Sequence, residues 1–224
     1  MAEQLIFDWP TGVALGDEDF FVAGPNAQAY AMIANPDGWP EGKLVLVGPE
    51  GAGKSHLARV FAAARGARVL TAQDLASGTD PNMDCPAVIE DADRLTAGAE
   101  EALFHLHNNL RAARLPLLLT ARTPPARWTV GLADLASRLQ ATAIARIADP
   151  DDALLEAVLM KHFADRQLPV KPTLIAYLLP RIERSFAAAA DIVASLDAEA
   201  LRQGKPVGRG LAARLLDNPA DPAR

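Results

Sequence analysis

One stretch constrains this chain more than any other: Gly48-Pro49-Glu50-Gly51-Ala52-Gly53-Lys54-Ser55. Gly, four residues, then Gly-Lys-Ser is the pattern of a loop that surrounds polyphosphate. The residue types follow from the chemistry. Glycines let the backbone bend until successive N–H groups converge on phosphate oxygens. A helix starting at Lys54 turns its positive end on the same anion. The Lys54 ammonium would reach the β- and γ-phosphates as a point charge, and the Ser55 hydroxyl would ligate Mg²⁺. The bland alternative is a glycine-rich turn with an accidental Lys-Ser. Context opposes it: an apolar run enters the loop, and Leu57, Val60 and Phe61 mark an amphipathic helix behind it.

The same alternation continues. Short apolar runs at 43–47, 68–71, 86–90, 115–120 and 141–147 predict five strands. Helical spacing predicts helices at 27–33, 54–65 and 98–114, with loops at 35–42 and around Gly78 and Pro81. Strands alternating with helices indicate an α/β fold whose five-stranded parallel sheet is covered on both faces. After Asp149-Pro150 only helical patterns follow, at 153–163, 173–179, 186–202 and 208–216. The organisation expected is an arm at 1–19, a nucleotide-binding core at 20–148, a helical lid at 149–217 and a tail at 218–224.

Composition narrows the function classes. The formal net charge of -6 opposes duplex DNA binding, which rests on Lys and Arg neutralising phosphates. The single cysteine, Cys85, allows no internal disulfide and suits a reducing cytoplasm. The first residues lack the basic start and apolar run of a signal peptide, and no stretch is long and apolar enough to span a bilayer, so no membrane contact is expected. His105 and His107 lie two apart on a helix and so share no face for a metal. Trp9, Trp39 and Trp128 are too scattered for a base-stacking platform.

A phosphate-loop ATPase needs an acidic group at the end of a buried strand to hold the metal. Here Ala87-Val88-Ile89 leads into Glu90 and Asp91. Glu90 takes the metal position and Asp91 that of the base activating water, which reverses the common Asp-Glu order. A displacement of about one methylene costs on the order of 10²-fold in rate. ADP or ATP binding is therefore expected, with weak or no intrinsic hydrolysis.

With these motifs in place, the chain resembles the AAA+ module of the bacterial replication initiator DnaA, and most closely its short Hda-type homologues. The resemblance runs from the arm to about residue 217. Residues 20–26 (FFVAGPN) resemble the segment that cups adenine, which makes Val22 a cofactor-site candidate; His56, just after the loop, is another, unless it only packs locally. Residues 132–139 (LADLASRL) resemble the box Leu-Pro-Asp-Leu-Ala-Ser-Arg-Leu, with Ala133 replacing Pro. By that match Arg138 is an arginine finger acting in trans, a role worth about 10³- to 10⁵-fold in rate. Residue physics alone favours a surface Arg pairing with Asp134 one turn earlier. Thr120 matches the polar sensor beside the γ-phosphate, although Ala121-Arg122 departs from the family's Ser-Asp or Gly-Asp. Arg184, or failing it Arg181, matches the lid sensor, at the opening of the long lid helix. Gln4, Leu5 and Phe7 resemble the peptide by which Hda proteins bind the sliding clamp of DNA polymerase III, an extended segment placing apolar anchors in a groove.

The resemblance implies an adapter, held on the DNA-loaded clamp, that stimulates ATP hydrolysis by DnaA and prevents re-initiation. DNA is touched only indirectly, the location is the bacterial cytoplasm, nucleoid-associated through partners, and a homo-oligomer is compatible. Neither the initiator's helix-turn-helix DNA reader nor its assembly domain is expected on this reading. Three rivals stand beside this: a self-hydrolysing AAA+ ATPase or helicase-loader-like protein, a small-molecule phosphate-loop kinase, and an interaction module that has lost its nucleotide.

Overall fold

The computed structural model describes residues 20–78 and 83–217. The arm with Gln4, Leu5 and Phe7, residue Pro81, and the tail lie outside the described residues. In chain order the elements are α1 (Gly24–Ala34), β1 (Lys43–Val47), α2 (Lys54–Arg65), β2 (Arg68–Thr71), α3 (Ala72–Ala76), β3 (Ala87–Glu90), α4 (Ala97–Ala112), β4 (Leu117–Ala121), α5 (Ala133–Ala141) and β5 (Ala143–Arg146). Then come α6 (Asp152–Asp165), α7 (Pro172–Leu178), α8 (Phe186–Gln203) and α9 (Arg209–Asp217). The five strands form one parallel sheet in the order β2-β3-β4-β1-β5, as the pattern of apolar runs predicted.

Alternation along the strands decides what each face buries. Leu44, Leu46, Val88 and Leu118 point to one side, against Ala29 and Ile33 of α1 and Leu57, Ala58 and Phe61 of α2. Val45, Val47, Ile89, Leu117 and Leu119 point to the other, against Leu75 of α3, Leu103, Leu106 and Leu110 of α4, and Leu135 and Leu139 of α5. Helices α6–α9 enclose a separate core of Leu155, Leu159, Phe163, Leu178, Val193 and Leu196. Leu154 and Phe186 instead join the cluster under α1 and α2, which ties the helical part to the sheet.

Several boundaries differ from the sequence reading, each for a local reason. Helix α1 begins three residues early because Pro25 is cost-free in a first turn, and Asn26 Oδ1 accepts the Ala23 N–H at 2.8 Å. Helix α3 replaces an expected loop: Thr71 and Asp74 cap each other at its start. Helix α4 stops at Ala112, and Arg114 turns left-handed with φ 55°. Strand β4 starts after Pro116, and β5 starts after α5, which runs through Ala141. Helix α8 starts at Phe186 as expected, with Ser185 capping it through the Ala188 N–H, so Arg181 and Arg184 lie in the turn before it rather than in its first turn.

The two α4 histidines point opposite ways. His105 is exposed beside Glu101, whereas His107 is buried and its Nδ1 has no hydrogen-bond partner among the described residues. Burial, aided by the charges of Lys43 and Arg138, lowers the His107 pKa to about 4. The unfolded chain then takes up a proton that the folded chain refuses, so acid favours unfolding between the ordinary histidine value and about 4. We expect urea stability to fall as pH is lowered through this window, and His107→Leu to flatten that slope. Identical slopes for both proteins would show that the buried imidazole carries none of the acid sensitivity.

Candidate functional site

Strand β1 is buried throughout and delivers the chain into Gly48 at the carboxyl edge of the sheet. The Gly48 N–H donates to the Ala121 carbonyl at 3.2 Å, and the Ile147 N–H donates to the Val47 carbonyl at 2.8 Å, so both neighbouring strands fix the loop's origin. Gly51 and Gly53 hold φ of 77° and 83°, a conformation that disfavours side chains. Helix α2 starts from Gly53 with no side-chain cap, which leaves its first-turn N–H groups for an anion. Lys54 is buried, and its Nζ donates to the Gly48 and Pro49 carbonyls, each at 2.8 Å. Burial lowers its pKa first and Arg122 second, while Asp91, Asp93 and Glu50 oppose the shift. Three carboxylates and one guanidinium thus share the field of this lysine.

The acidic strand end lies beside the loop. Glu90 closes β3, and its Oε1 is a buried acceptor with no donor among the described residues; Asp93 Oδ1 is another. Asp91 adopts φ 52° and its N–H donates to Thr120 Oγ1 at 3.2 Å, so the structure brings Asp91 and Thr120 together. Acceptors without donors suit a hydrated cation. Mg²⁺ is held mostly by water and phosphate oxygens plus one or two protein groups. Ser55, exposed at the start of α2, and Glu90 would be those groups. Among the described residues no cluster of three His, Cys, Asp or Glu exists that could hold a metal alone.

Two further parts of the chain close on the loop. A side chain at Gly53 would sit 2.9 Å from Phe20 Cε2, and Phe20 stacks on His56 and Tyr30 at centroid distances of 5.6 and 6.0 Å. The sequence reading singled out His56 and Val22 and included Phe20 in the segment 20–26, whereas Tyr30 carried no signal. A side chain at Gly51 would sit 3.1 Å from Phe186 Cβ, so α8 abuts the loop directly. Arg184, two residues before Phe186, pairs with Asp152 at 2.9 Å. Arg181 is turned away, its guanidinium 4.0 Å from the Tyr177 ring.

Arg138 stands at the other edge of the sheet. It shares a groove of about 580 Å³ with Lys43, the first residue of β1, and with His107 and Arg111. The length of β1, about 13 Å, separates that edge from the phosphate loop. Arg138 does not pair with Asp134: its Nη1 donates to Asn108 Oδ1 at 2.7 Å, and its guanidinium lies 5.1 Å from the Phe104 ring centre. Buried Glu100, which no sequence motif signalled, accepts the N–H groups of Gly131 and Leu132 at 3.0 and 2.7 Å. It thereby positions the start of α5, the helix that carries Arg138.

Known structures share this fold. Domain III of the replication initiation protein DnaA from Thermotoga maritima aligns with a TM-score of 0.72 at 18% identity, over 88% of this chain and 92% of that one. The fold is that of the DnaA AAA+ module. AMPPCP-bound DnaA from Aquifex aeolicus aligns at 0.64 and 19% identity over 82% of this chain and 65% of that one. The RuvB Holliday junction branch migration motor from Thermotoga maritima aligns at 0.58 and 16%, over 78% and 61%. The chain thus spans just under two thirds of these last two. No protein-family model matches it. Identities this low establish the AAA+ architecture alone. No described helix is long and apolar enough to cross a membrane.

In a loop of this geometry the Lys54 ammonium, held by the Gly48 and Pro49 carbonyls, is the charge best placed for phosphate. We expect Lys54→Ala to weaken ADP binding by about tenfold or more, the size of a lost charge-assisted contact, read as loss of the ligand-induced rise in melting temperature. An undiminished rise would remove the loop as the phosphate site.

Proposed function

We propose that this chain is a nucleotide-holding AAA+ adapter of the Hda type: it docks on the DNA-loaded sliding clamp of DNA polymerase III and presents Arg138 to ATP held by the initiator DnaA. Stimulated hydrolysis there would prevent re-initiation of replication. The observation that carries the reading is the position of Arg138. It sits on a helix held by Glu100, at the sheet edge remote from its own phosphate loop. A planar, permanently charged fork so placed suits charge developing on another molecule's phosphoryl group. Asn108 and Phe104 hold it ready at the surface.

ADP or ATP with Mg²⁺ would occupy the loop, supported by Lys54, Ser55, Glu90 and Thr120. That Aquifex DnaA was obtained bound to AMPPCP agrees with an adenine nucleotide. Through the Gly51–Phe186 contact the bound nucleotide would set the angle of the helical lid, with Arg184 as its sensor. Gln4, Leu5 and Phe7 would supply the clamp peptide. This role belongs in the bacterial cytoplasm, with the nucleoid reached through partners. The grouping of Asp91, Thr120 and Lys54 supports a second reading, a self-hydrolysing AAA+ ATPase of the helicase-loader kind. Steady phosphate release by the chain alone separates the two.

Arg138→Ala should cut the stimulation of DnaA hydrolysis by about 10³-fold in an assay with loaded clamp, while ADP binding and clamp capture persist. Unchanged stimulation would eliminate the finger. Replacing Leu5 and Phe7 together by Ala should abolish recovery of the clamp in a pull-down; retained recovery would dismiss the arm as the docking peptide.

A further inference from the structure

The ion pair across the phosphate loop assigns a task to Arg122 that no motif gives it. Strand β4 pairs with β1 through Val47 and Ala121, so Arg122 leaves the sheet directly beside the loop. Its backbone is clamped: the N–H groups of Arg122 and Thr123 both donate to Asp93 Oδ2, at 2.9 and 3.3 Å. Its side chain reaches over the loop, where Nη1 lies 2.6 Å from Glu50 Oε2. Both side chains are open to solvent, at 38% and 70% exposure, and exposed pairs of this kind are weakly held. Glu50 precedes the glycine-rich bend, and Arg122 acts on the same Lys54 ammonium that spans the cradle. A guanidinium with a fixed base and a weak partner can be drawn off by a stronger anion nearby. A terminal phosphate carries more charge than a carboxylate and offers the same two-oxygen edge to the fork.

We propose that Arg122 reads the terminal phosphate of the bound nucleotide: it leaves Glu50 for the γ-phosphate of a triphosphate, and Glu50 holds it in reserve when a diphosphate is bound. This rests on the loop being a nucleotide site. Glu50 is then an internal competitor of the γ-phosphate, and the pair sets the preference between triphosphate and diphosphate. Arg122 is a specificity residue of its own chain's site, distinct from Arg138, which faces away from it.

Calorimetric titration of the full chain with ADP and with AMPPCP, both with magnesium, tests this. Arg122→Ala should weaken AMPPCP by about tenfold or more, as expected for a charge-assisted contact, and change ADP by less than about twofold. Glu50→Gln should tighten AMPPCP by a larger factor than it changes ADP. The double variant separates contact from mere neutralisation of Glu50. If Arg122 touches phosphate, AMPPCP binding stays weak in the double variant; full recovery there would overturn the proposal. Arg122→Lys, which keeps the charge and loses the fork, should retain part of the triphosphate preference, and it serves with Glu50→Gln should Arg122→Ala fail to fold. Equal losses for both nucleotides in Arg122→Ala or Arg122→Lys would also overturn it. Wild-type protein that binds neither nucleotide removes the loop site and this inference together; binding of both without a differential effect of Arg122 removes this inference alone.

Discussion

The turn from β1 into α2 is the constraint on which the rest of the molecule depends. A strand buried on both faces must exchange its ladder partners for a loop within a few residues, and every polar backbone group there needs a partner. Three glycines make that turn possible, and each is pressed by a different part of the chain. A side chain at Gly48 would lie 3.0 Å from Ile147 beyond β5; at Gly51 and Gly53 it would meet Phe186 of α8 and Phe20 ahead of α1. The loop is therefore where sheet, helical part and N-terminal segment converge. Its glycines answer packing as well as phosphate geometry, and a ligand in the loop would lie one contact from the helical part.

The parallel sheet separates two charged sites. Its carboxyl edge carries Lys54 among Glu50, Asp91, Asp93 and Arg122. Its amino edge carries Arg138 with Lys43, Arg111 and His107. The edges differ in how charge is compensated. At the carboxyl edge acceptors are in surplus, with Glu90 Oε1 and Asp93 Oδ1 lacking donors among the described residues, so a cation would complete the site. At the amino edge donors prevail. Lys43, almost fully buried, donates to the Leu115 carbonyl, and burial lowers its pKa to about 8. One edge is thus suited to polyphosphate with a metal, and the other to an oxyanion brought from outside.

Legibility from the sequence followed the range of the interactions involved. The strands were readable because β1, β3 and β4, covered on both faces, leave unbroken apolar runs. The bend between β1 and α2 was readable because its determinants are local: Gly51 and Gly53 hold the positive φ it needs. Helix α3 was not, since five residues hold too little periodicity and the Thr71–Asp74 cap resembles any polar turn. Glu100 was invisible because its partners, Gly131 and Leu132, are some thirty residues away. Arg122 could be noted as a departure from the family pattern, but its contact with Glu50 joins residues separated by more than seventy positions. The placement of Arg181 and Arg184 turned on Ser185, a capping residue whose position separates turn from helix by a single residue.

The acidic strand end bears on what the carboxyl edge is built for. Asp91 is held left-handed, with its N–H committed to Thr120. That ties the backbone of the shorter carboxylate to β4 while Glu90, the longer one, occupies the strand terminus with an unsatisfied oxygen. A metal needs an acceptor of adequate reach, and Glu90 has reach to spare. A water-activating base needs placement within a fraction of an ångström of the attacking oxygen, and a short side chain on a tethered backbone has little freedom to recover a missing methylene. Holding nucleotide would tolerate the reversed order better than splitting it rapidly. A chain built this way would keep its own nucleotide as a structural element, and the guanidinium best placed to accelerate hydrolysis would be the one on its opposite edge.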